Sequence, residues 1–222
     1  ATSPPTTTTA GPDPRHDVSD GVTRPIEDRD FAEWHGGCRH ALVWLIDVDV
    51  PAVRDAVASA RGRLDGLLYP RYDRAPHVTV AFSGLAPEPG AAPADVLYGD
   101  DELTADLERL ETLATTPFTL RIEDWDTFTT SPHLSVVGLD HLLPLHEALT
   151  AQRACGADAY VPHVTVGLYN VTVPLAEVEA RMAGWSAPPI DVDVTELVLG
   201  RYDTADILGP LTPMHRLALD RA

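Results

Sequence analysis

The chain has 222 residues, which is enough for one large domain or two small lobes with a sizeable core. Its 44% hydrophobic and 23% charged residues are typical of a soluble globular protein, and no apolar run approaches the roughly 20 residues that cross a bilayer. The formal charge is −18, with 16 basic residues scattered among 34 acidic ones, which disfavours the basic stripe that grips a long polyanion. We therefore expect a small nucleotide or an RNA terminus as partner, and neither a membrane nor a long nucleic acid.

The N-terminal 30 residues predict a disordered tail, because the Pro- and Thr-rich start has no apolar period and the segment after it is rich in Pro, Asp and Arg. Residues 31–222 are then expected to form a single domain. No n-region or h-region of a secretory signal is visible at the start. The two cysteines, Cys38 and Cys155, lack CxxC spacing and favour a reduced, cytoplasmic protein without a disulfide framework. We expect a monomer.

The first half of the predicted domain, about residues 41–126, alternates strands and helices. Hydrophobic runs and helical spacing predict its elements in this order: a strand at 41–48, a helix at 51–64, a strand at 76–82, a helix at 101–113 and a strand at 118–122. The third element contains the letters Pro-His-Val-Thr-Val, which begin at Pro76.

The second half, about residues 133–220, repeats this order. Its elements are a strand at 133–139, a helix at 142–153, a strand at 162–168, a helix at 174–182, a strand at 190–199 and a closing strand at 214–219. Pro-His-Val-Thr-Val recurs from Pro162. The repetition predicts an α+β fold, a bilobal duplicated unit whose two antiparallel-rich sheets face a central cleft with helices outside. Strands can exchange between the lobes.

The two copies of this motif carry the predicted chemistry. Side chains at i and i+2 of a strand share a face, so His77 projects with Thr79, and His163 projects with Thr165. One imidazole can remove a proton from an attacking water or hydroxyl while the other protonates the departing oxygen, and each hydroxyl can donate to a phosphate oxygen. This chemistry needs no metal. A single copy would be weak evidence, whereas two copies in matching contexts are specific; a duplicated structural strand is the competing explanation.

With these residues the chain resembles the two-histidine (2H) phosphoesterase superfamily, which includes the 2′-5′ RNA ligase-like proteins and RNA 2′,3′-cyclic phosphodiesterases. His77 and Thr79 match the first His-x-Thr motif of that family, and His163 and Thr165 match the second. The resemblance covers about residues 41–219. It implies a bilobal fold, a central cleft, no cofactor and a 2′,3′-cyclic phosphate or related small diester as substrate. It also implies His163 as the base and His77 as the acid.

Three functions remain open on these residues. The leading one is hydrolysis of a cyclic or related nucleotide diester. Transesterification, by 2′-5′ ligation or cyclisation, is the second. A non-catalytic nucleotide-binding module is the third, although a pure binder has no need of two titrating imidazoles.

Several other residues invite an interpretation. A third similar run, His133-Leu134-Ser135-Val136, aligns by repeat position with the strand that starts at His40, and we interpret it as structural. Aromatic rings can stack a base and a guanidinium can hold a phosphate. On these grounds the candidate substrate contacts are Trp44, Tyr169, Arg201 and Tyr202. No HExxH or CxxC…H spacing predicts a metal site.

Overall fold

The computed structural model describes residues 21–91, 96–151 and 160–219. Within them the chain forms five helices and eight strands. The helices are α1 (Ala32–His35), α2 (Pro51–Arg63), α3 (Asp100–Leu113), α4 (Leu139–Thr150) and α5 (Leu175–Met182). The strands are β1 (His40–Asp47), β2 (His77–Leu85), β3 (Phe118–Thr127), β4 (Pro132–Val137), β5 (His163–Thr165), β6 (Ile190–Val194), β7 (Glu196–Asp203) and β8 (Thr212–Ala218). Cys155 and most of the predicted tail lie outside the described residues.

The strands form one antiparallel sheet in the order β6-β3-β4-β5-β2-β1-β7-β8. The predicted α+β class is confirmed, and the two expected sheets join into a single one. The two strands that carry the repeated motif, β2 and β5, are neighbours at its centre, paired at Val78 and Val164. Each is flanked by the first strand of its own repeat, since β1 pairs with β2 and β4 pairs with β5.

The outer strands exchange between the two halves of the sheet. β3 follows β2 in the chain but pairs with β4, while β7 and β8 extend the half that contains β1. The predicted single strand at 190–199 is wrong, because it divides at Thr195 into β6 and the start of β7.

These two strands occupy the first and seventh positions of the sheet. In a flat sheet they would be about 29 Å apart, at roughly 4.8 Å per strand. A single intervening residue, Thr195, cannot span that distance, since each residue adds at most about 3.6 Å. The sheet must therefore curl until its two ends approach each other.

Helices α2 to α5 pack against one face of the sheet, which we call the helix face. Its core includes Val78 and Val164 from the central strands, both fully buried. The predicted apolar stripe of α4, namely Leu142, Leu145 and Leu149, packs into the same core. The opposite face, which we call the histidine face, carries the side chains that alternate with these valines. No helix in the described part of the chain is long and apolar enough to span a bilayer.

The end of the predicted tail belongs to the folded domain. Thr23 is fully buried, and its hydroxyl donates to the Val171 carbonyl at 2.7 Å. Its backbone amide donates to the Val173 carbonyl at 2.8 Å. Residues 21–24 of the predicted tail are therefore joined to the folded domain, because backbone pairing orders a segment whose composition alone would not.

Candidate active site

The central strand pair brings the two motifs together. Val78 of β2 lies opposite Val164 of β5 in an antiparallel register. Continuing this register places Thr165 opposite His77 on one side of the pair. On the other side it places His163 opposite Thr79. All four polar side chains thus share the histidine face. His77 and His163 are diagonal neighbours across the two strands, and residues in such positions lie about 7–8 Å apart.

Both imidazoles are held by the same local hydrogen bond. The Nδ1 of His77 lies 2.8 Å from the carbonyl oxygen of Ala75, and the Nδ1 of His163 lies 2.8 Å from that of Val161. A carbonyl oxygen only accepts, so each Nδ1 carries the hydrogen. Proton exchange with a substrate then falls to the Nε2 of each ring. The two halves of the site therefore present equivalent imidazoles.

Burial and nearby charges shift the pKa of His77. Burial lowers its pKa from 6.5 to about 4, and the positive charges of Arg74 and a protonated His163 act in the same direction. The hydrogen bond to the Ala75 carbonyl and the charge of Asp47, which pairs with His77 across β1 and β2, oppose this shift. At neutral pH the ring of His77 is therefore neutral, which is the form that accepts a proton.

A β-bulge in β2 brings an aromatic ring onto the histidine face. Leu45 pairs with Thr79, but the preceding residue of β1, Trp44, pairs with Ala81. β2 therefore contains one extra residue at this point. Val80 and Ala81 consequently both join the core of the helix face. Phe82 then shares the histidine face with Thr79, instead of Ala81 as strict alternation would place it.

Helix α4 and Tyr160 support the bulged strand. Beyond the Val78–Val164 pair, the Tyr160 hydroxyl donates to the Thr79 carbonyl at 3.0 Å, and the His146 Nδ1 donates to the Val80 carbonyl at 2.7 Å. The Tyr160 and His146 rings stack with centroids 4.2 Å apart. These bonds satisfy the backbone oxygens of Thr79 and Val80 and fix the position of Thr79.

The third run, interpreted as structural, borders the site. In β4, His133 pairs with Thr165 and Ser135 pairs with His163, so this run lies on the histidine face beside the second motif. His133 is only 2% exposed and stacks on Phe128 at 4.2 Å. The His163 ring meets both in edge-to-face contacts, at 4.9 Å from Phe128 and 5.2 Å from His133. The two rings orient a motif histidine from a buried position.

The four expected substrate contacts separate into two groups. Trp44 and Tyr169 are fully buried. The Trp44 indole donates to Asp106 at 2.9 Å within the helix-face core, and the Tyr169 hydroxyl bonds the Thr127 hydroxyl at 2.7 Å. Neither ring has surface on which a base could stack, so both expectations are wrong. Trp44 alternates with residues of the histidine face, and its apolar strand was the signal for its burial.

Tyr202 and Arg201 remain accessible. Tyr202 pairs with Ala41 in β1 and packs beside Phe82 on the histidine face, so its expected role stays a prediction. Arg201 alternates with Tyr202 along β7 and pairs with Leu42 of the helix-face core. It lines a cavity of about 150 Å³ at the end of that strand, where a substrate contact also stays a prediction.

Sequence reasoning missed two residues of the loop before β2. The Arg74 guanidinium lies over the Tyr202 ring, with its carbon 4.4 Å from the ring centroid. Burial raises the pKa of Tyr72, whereas the charge of Arg74 and a side-chain hydrogen bond with Thr165 lower it. Neither residue belongs to a periodic segment. The short spacing from Arg74 to the motif histidine was the only available signal.

Among the described residues, no three His, Cys, Asp or Glu side chains are grouped as metal ligands. The histidine face brings together two imidazoles, two threonine hydroxyls, the Arg74 guanidinium and aromatic rings.

Comparison with known proteins identifies the family of the chain and solved structures with a similar fold. A family model described as the 2′-5′ RNA ligase superfamily matches residues 49–206. The structure of E. coli LigT with NADP+ is similar at a TM-score of 0.53 and 20% identity, covering 82% of this chain and 98% of that one. E. coli LigT with 3′-AMP gives 0.51 and 19%, covering 82% and 99%. TT0787 of Thermus thermophilus gives 0.52 and 17%, covering 81% and 97%. No curated protein sequence matches the chain.

Proposed function

Since the chain belongs to the 2′-5′ RNA ligase superfamily, we propose that it is a metal-independent phosphodiesterase that hydrolyses a 2′,3′-cyclic phosphate or a related small nucleotide diester. The observation that carries this proposal is the pairing of β2 with β5 at Val78 and Val164, which sets two His-x-Thr motifs side by side on one face. The nucleotides in the E. coli LigT structures, NADP+ and 3′-AMP, are small and support a small substrate here.

We assign the base to His77 and the acid to His163, which reverses the roles that the resemblance implies. The low pKa of His77 keeps its Nε2 unprotonated at neutral pH and able to take the proton of an attacking water. The oxygen of that water bonds to phosphorus, and the bond between phosphorus and one ribose oxygen breaks. The protonated His163 ring gives its proton to the departing ribose oxygen. The products are a phosphate monoester and a free hydroxyl.

The two threonines complete the proposed mechanism. In hydrolysis, negative charge builds on the non-bridging oxygens of the phosphorus centre. The hydroxyls of Thr79 and Thr165 lie on the same face as the imidazoles and can donate to those oxygens as the charge develops. Because both hydroxyls are held on strands, they need little reorganisation during the reaction.

The test is a panel of 2′,3′-cyclic nucleotides and 2′-5′-linked dinucleotides, with products identified by mass spectrometry. We expect His77→Ala and His163→Ala each to lower kcat/KM by about 100- to 10,000-fold, the usual contribution of a general acid or base. Thr79→Val and Thr165→Val should each cost at least about tenfold. His141→Ala, which removes an exposed histidine of α4, is the matched control and should retain activity. Full activity in either motif-histidine variant would reject the proposal.

The family description also favours a second activity, 2′-5′ ligation. Incubating an RNA that ends in a cyclic phosphate with one that starts with a free hydroxyl separates the two reactions. Hydrolysed product alone supports the phosphodiesterase, and joined product supports the ligase. Tight nucleotide binding without turnover of any diester would instead favour a binding module.

A further inference from the structure

The loop that precedes β2 is fastened to the loop that follows β7. The backbone amide of Asp73 donates to the Leu208 carbonyl at 2.9 Å. The Nη2 of Arg74 donates to the Ile207 carbonyl, also at 2.9 Å. These bonds fix Arg74 three residues before the first motif histidine.

Arg74 lies on the histidine face. Tyr202 shares that face with the partly buried Phe82, and both pack against the cluster that includes Val43 and Leu45 of β1. The Arg74 guanidinium carbon lies 4.4 Å from the centroid of the Tyr202 ring, a cation–π contact that sets the plane in which its N–H groups point. The same positive charge is felt at His77, where it favours the neutral imidazole.

The positive charge of Arg74 is not met by a carboxylate. The chain has 34 acidic residues, yet no described residue forms a salt bridge with Arg74. Its Nε is buried and has no hydrogen-bond partner among the described residues. A half-buried cation in this condition carries a desolvation cost that a bound anion would offset.

Two neighbouring arginines show the contrast. Arg71 forms ion pairs with Asp73, at 3.1 Å, and with Asp206, at 2.6 Å. Arg61 donates to the carbonyls of Val166, Tyr69 and Pro70, at 2.9, 2.9 and 3.2 Å. Both guanidinium groups hold the fold together. Arg74, in contrast, has no carboxylate partner among the described residues, and its Nε–H makes no hydrogen bond with them.

We propose that Arg74 binds the phosphate group of the substrate, with the terminal N–H groups of its guanidinium directed at two phosphate oxygens. The Tyr202 ring and the Ile207 carbonyl orient the guanidinium for this contact. A planar fork suits two oxygens of one phosphate. The identity of the anion as a nucleotide phosphate rests on the proposed function. A single guanidinium of this kind fits a small diester on an otherwise strongly acidic protein.

The test is calorimetric titration of the full chain with 3′-AMP, adenosine and inorganic phosphate. We expect Arg74→Met to weaken 3′-AMP binding about 10- to 100-fold, the range for losing a charge-assisted hydrogen bond, and to leave adenosine binding unchanged. Arg74→Lys retains the charge without the fork and should give an intermediate loss. Arg121→Met removes one exposed charge from β3 and is the matched control, expected to change 3′-AMP affinity by less than about threefold.

Several results would overturn this proposal. One is 3′-AMP binding by Arg74→Met within about threefold of the wild type. Another is an equal loss of adenosine and 3′-AMP affinity, which would mean that Arg74 only supports the fold. Wild-type protein that binds neither 3′-AMP nor phosphate at millimolar concentration would also overturn it. If thermal melting shows that Arg74→Met does not fold, Arg74→Lys decides, and wild-type affinity in that variant counts against the proposal.

These titrations use a product-like monoester and need no turnover, so they fail independently of the proposed function. Arg74-dependent binding in a protein that cleaves no diester would refute the phosphodiesterase and leave the phosphate site standing. Turnover in the diester panel, with 3′-AMP binding indifferent to Arg74→Met, would refute only the phosphate site.

Discussion

The pH response of His77 tests the electrostatics of the site directly. Burial and the positive charges of Arg74 and His163 lower its pKa from 6.5 to about 4. At pH 5 about nine-tenths of the His77 rings should therefore be neutral, whereas an unperturbed histidine would be only about 3% neutral. As the base, His77 should hold kcat/KM high down to about pH 5, with the acid limb falling near pH 4.

The direct assay is an NMR titration of the His77 ring protons, assigned by comparison with His77→Ala. The Arg74→Met variant should move the His77 pKa upward, because it removes a positive charge that disfavours the imidazolium. A His77 ring that titrates near 6.5 in the wild type would refute the reasoning. So would a pKa that is unchanged or lower in Arg74→Met.

The same shift affects stability. The pKa of His77 is lower in the folded chain than in the unfolded one, so protonation favours unfolding. The contribution of neutral His77 is fully present above about pH 6.5 and is lost as the pH falls through about 4. Urea denaturation midpoints of the wild type should therefore fall more than those of His77→Ala over this window.

Two further predictions concern packing. Asp106 is fully buried and accepts hydrogen bonds from Trp44 and Tyr98, each at 2.9 Å. Asp106→Ala should therefore lower the free energy of unfolding, measured by urea denaturation, by about 3–5 kcal/mol. A loss below about 1 kcal/mol would contradict this prediction. A Cβ at Gly167 would lie 2.5 Å from the Arg61 Nη1, which donates to the Val166 carbonyl. Gly167→Ala should therefore lower the free energy of unfolding by about 1–3 kcal/mol. A melting temperature equal to that of the wild type would argue against this packing.

The sequence predicted the features that depend on local pattern. Period-2 alternation within Pro-His-Val-Thr-Val placed the valines in the core and the histidines and threonines opposite. The helical stripe of Leu142, Leu145 and Leu149 is buried as expected, although α4 begins at Leu139 and not at Leu142. The order of elements from β1 to α5 was also correct, and with it the α+β class.

The features that escaped prediction depend on long-range pairing. The division at Thr195 is marked only by two consecutive polar residues, Thr195 and Glu196, which interrupt the alternation. This interruption does not reveal that β6 and β7 pair with different strands. The sequence does not indicate the bulge at Val80 and Ala81, since both residues suit either face of a strand. Arg74 was missed because its role arises from a loop on one side and Tyr202 on the other, which the chain brings together only in three dimensions.

The passage of the backbone through Thr195 has a mechanical consequence. β6 and β7 belong to different halves of the sheet, and a single residue connects them, so the halves cannot be drawn apart without stretching this connection. The curl of the sheet, and with it the shape of the histidine face, is therefore constrained by covalent geometry before any ligand arrives. A binding face of fixed shape spends little binding energy on ordering itself.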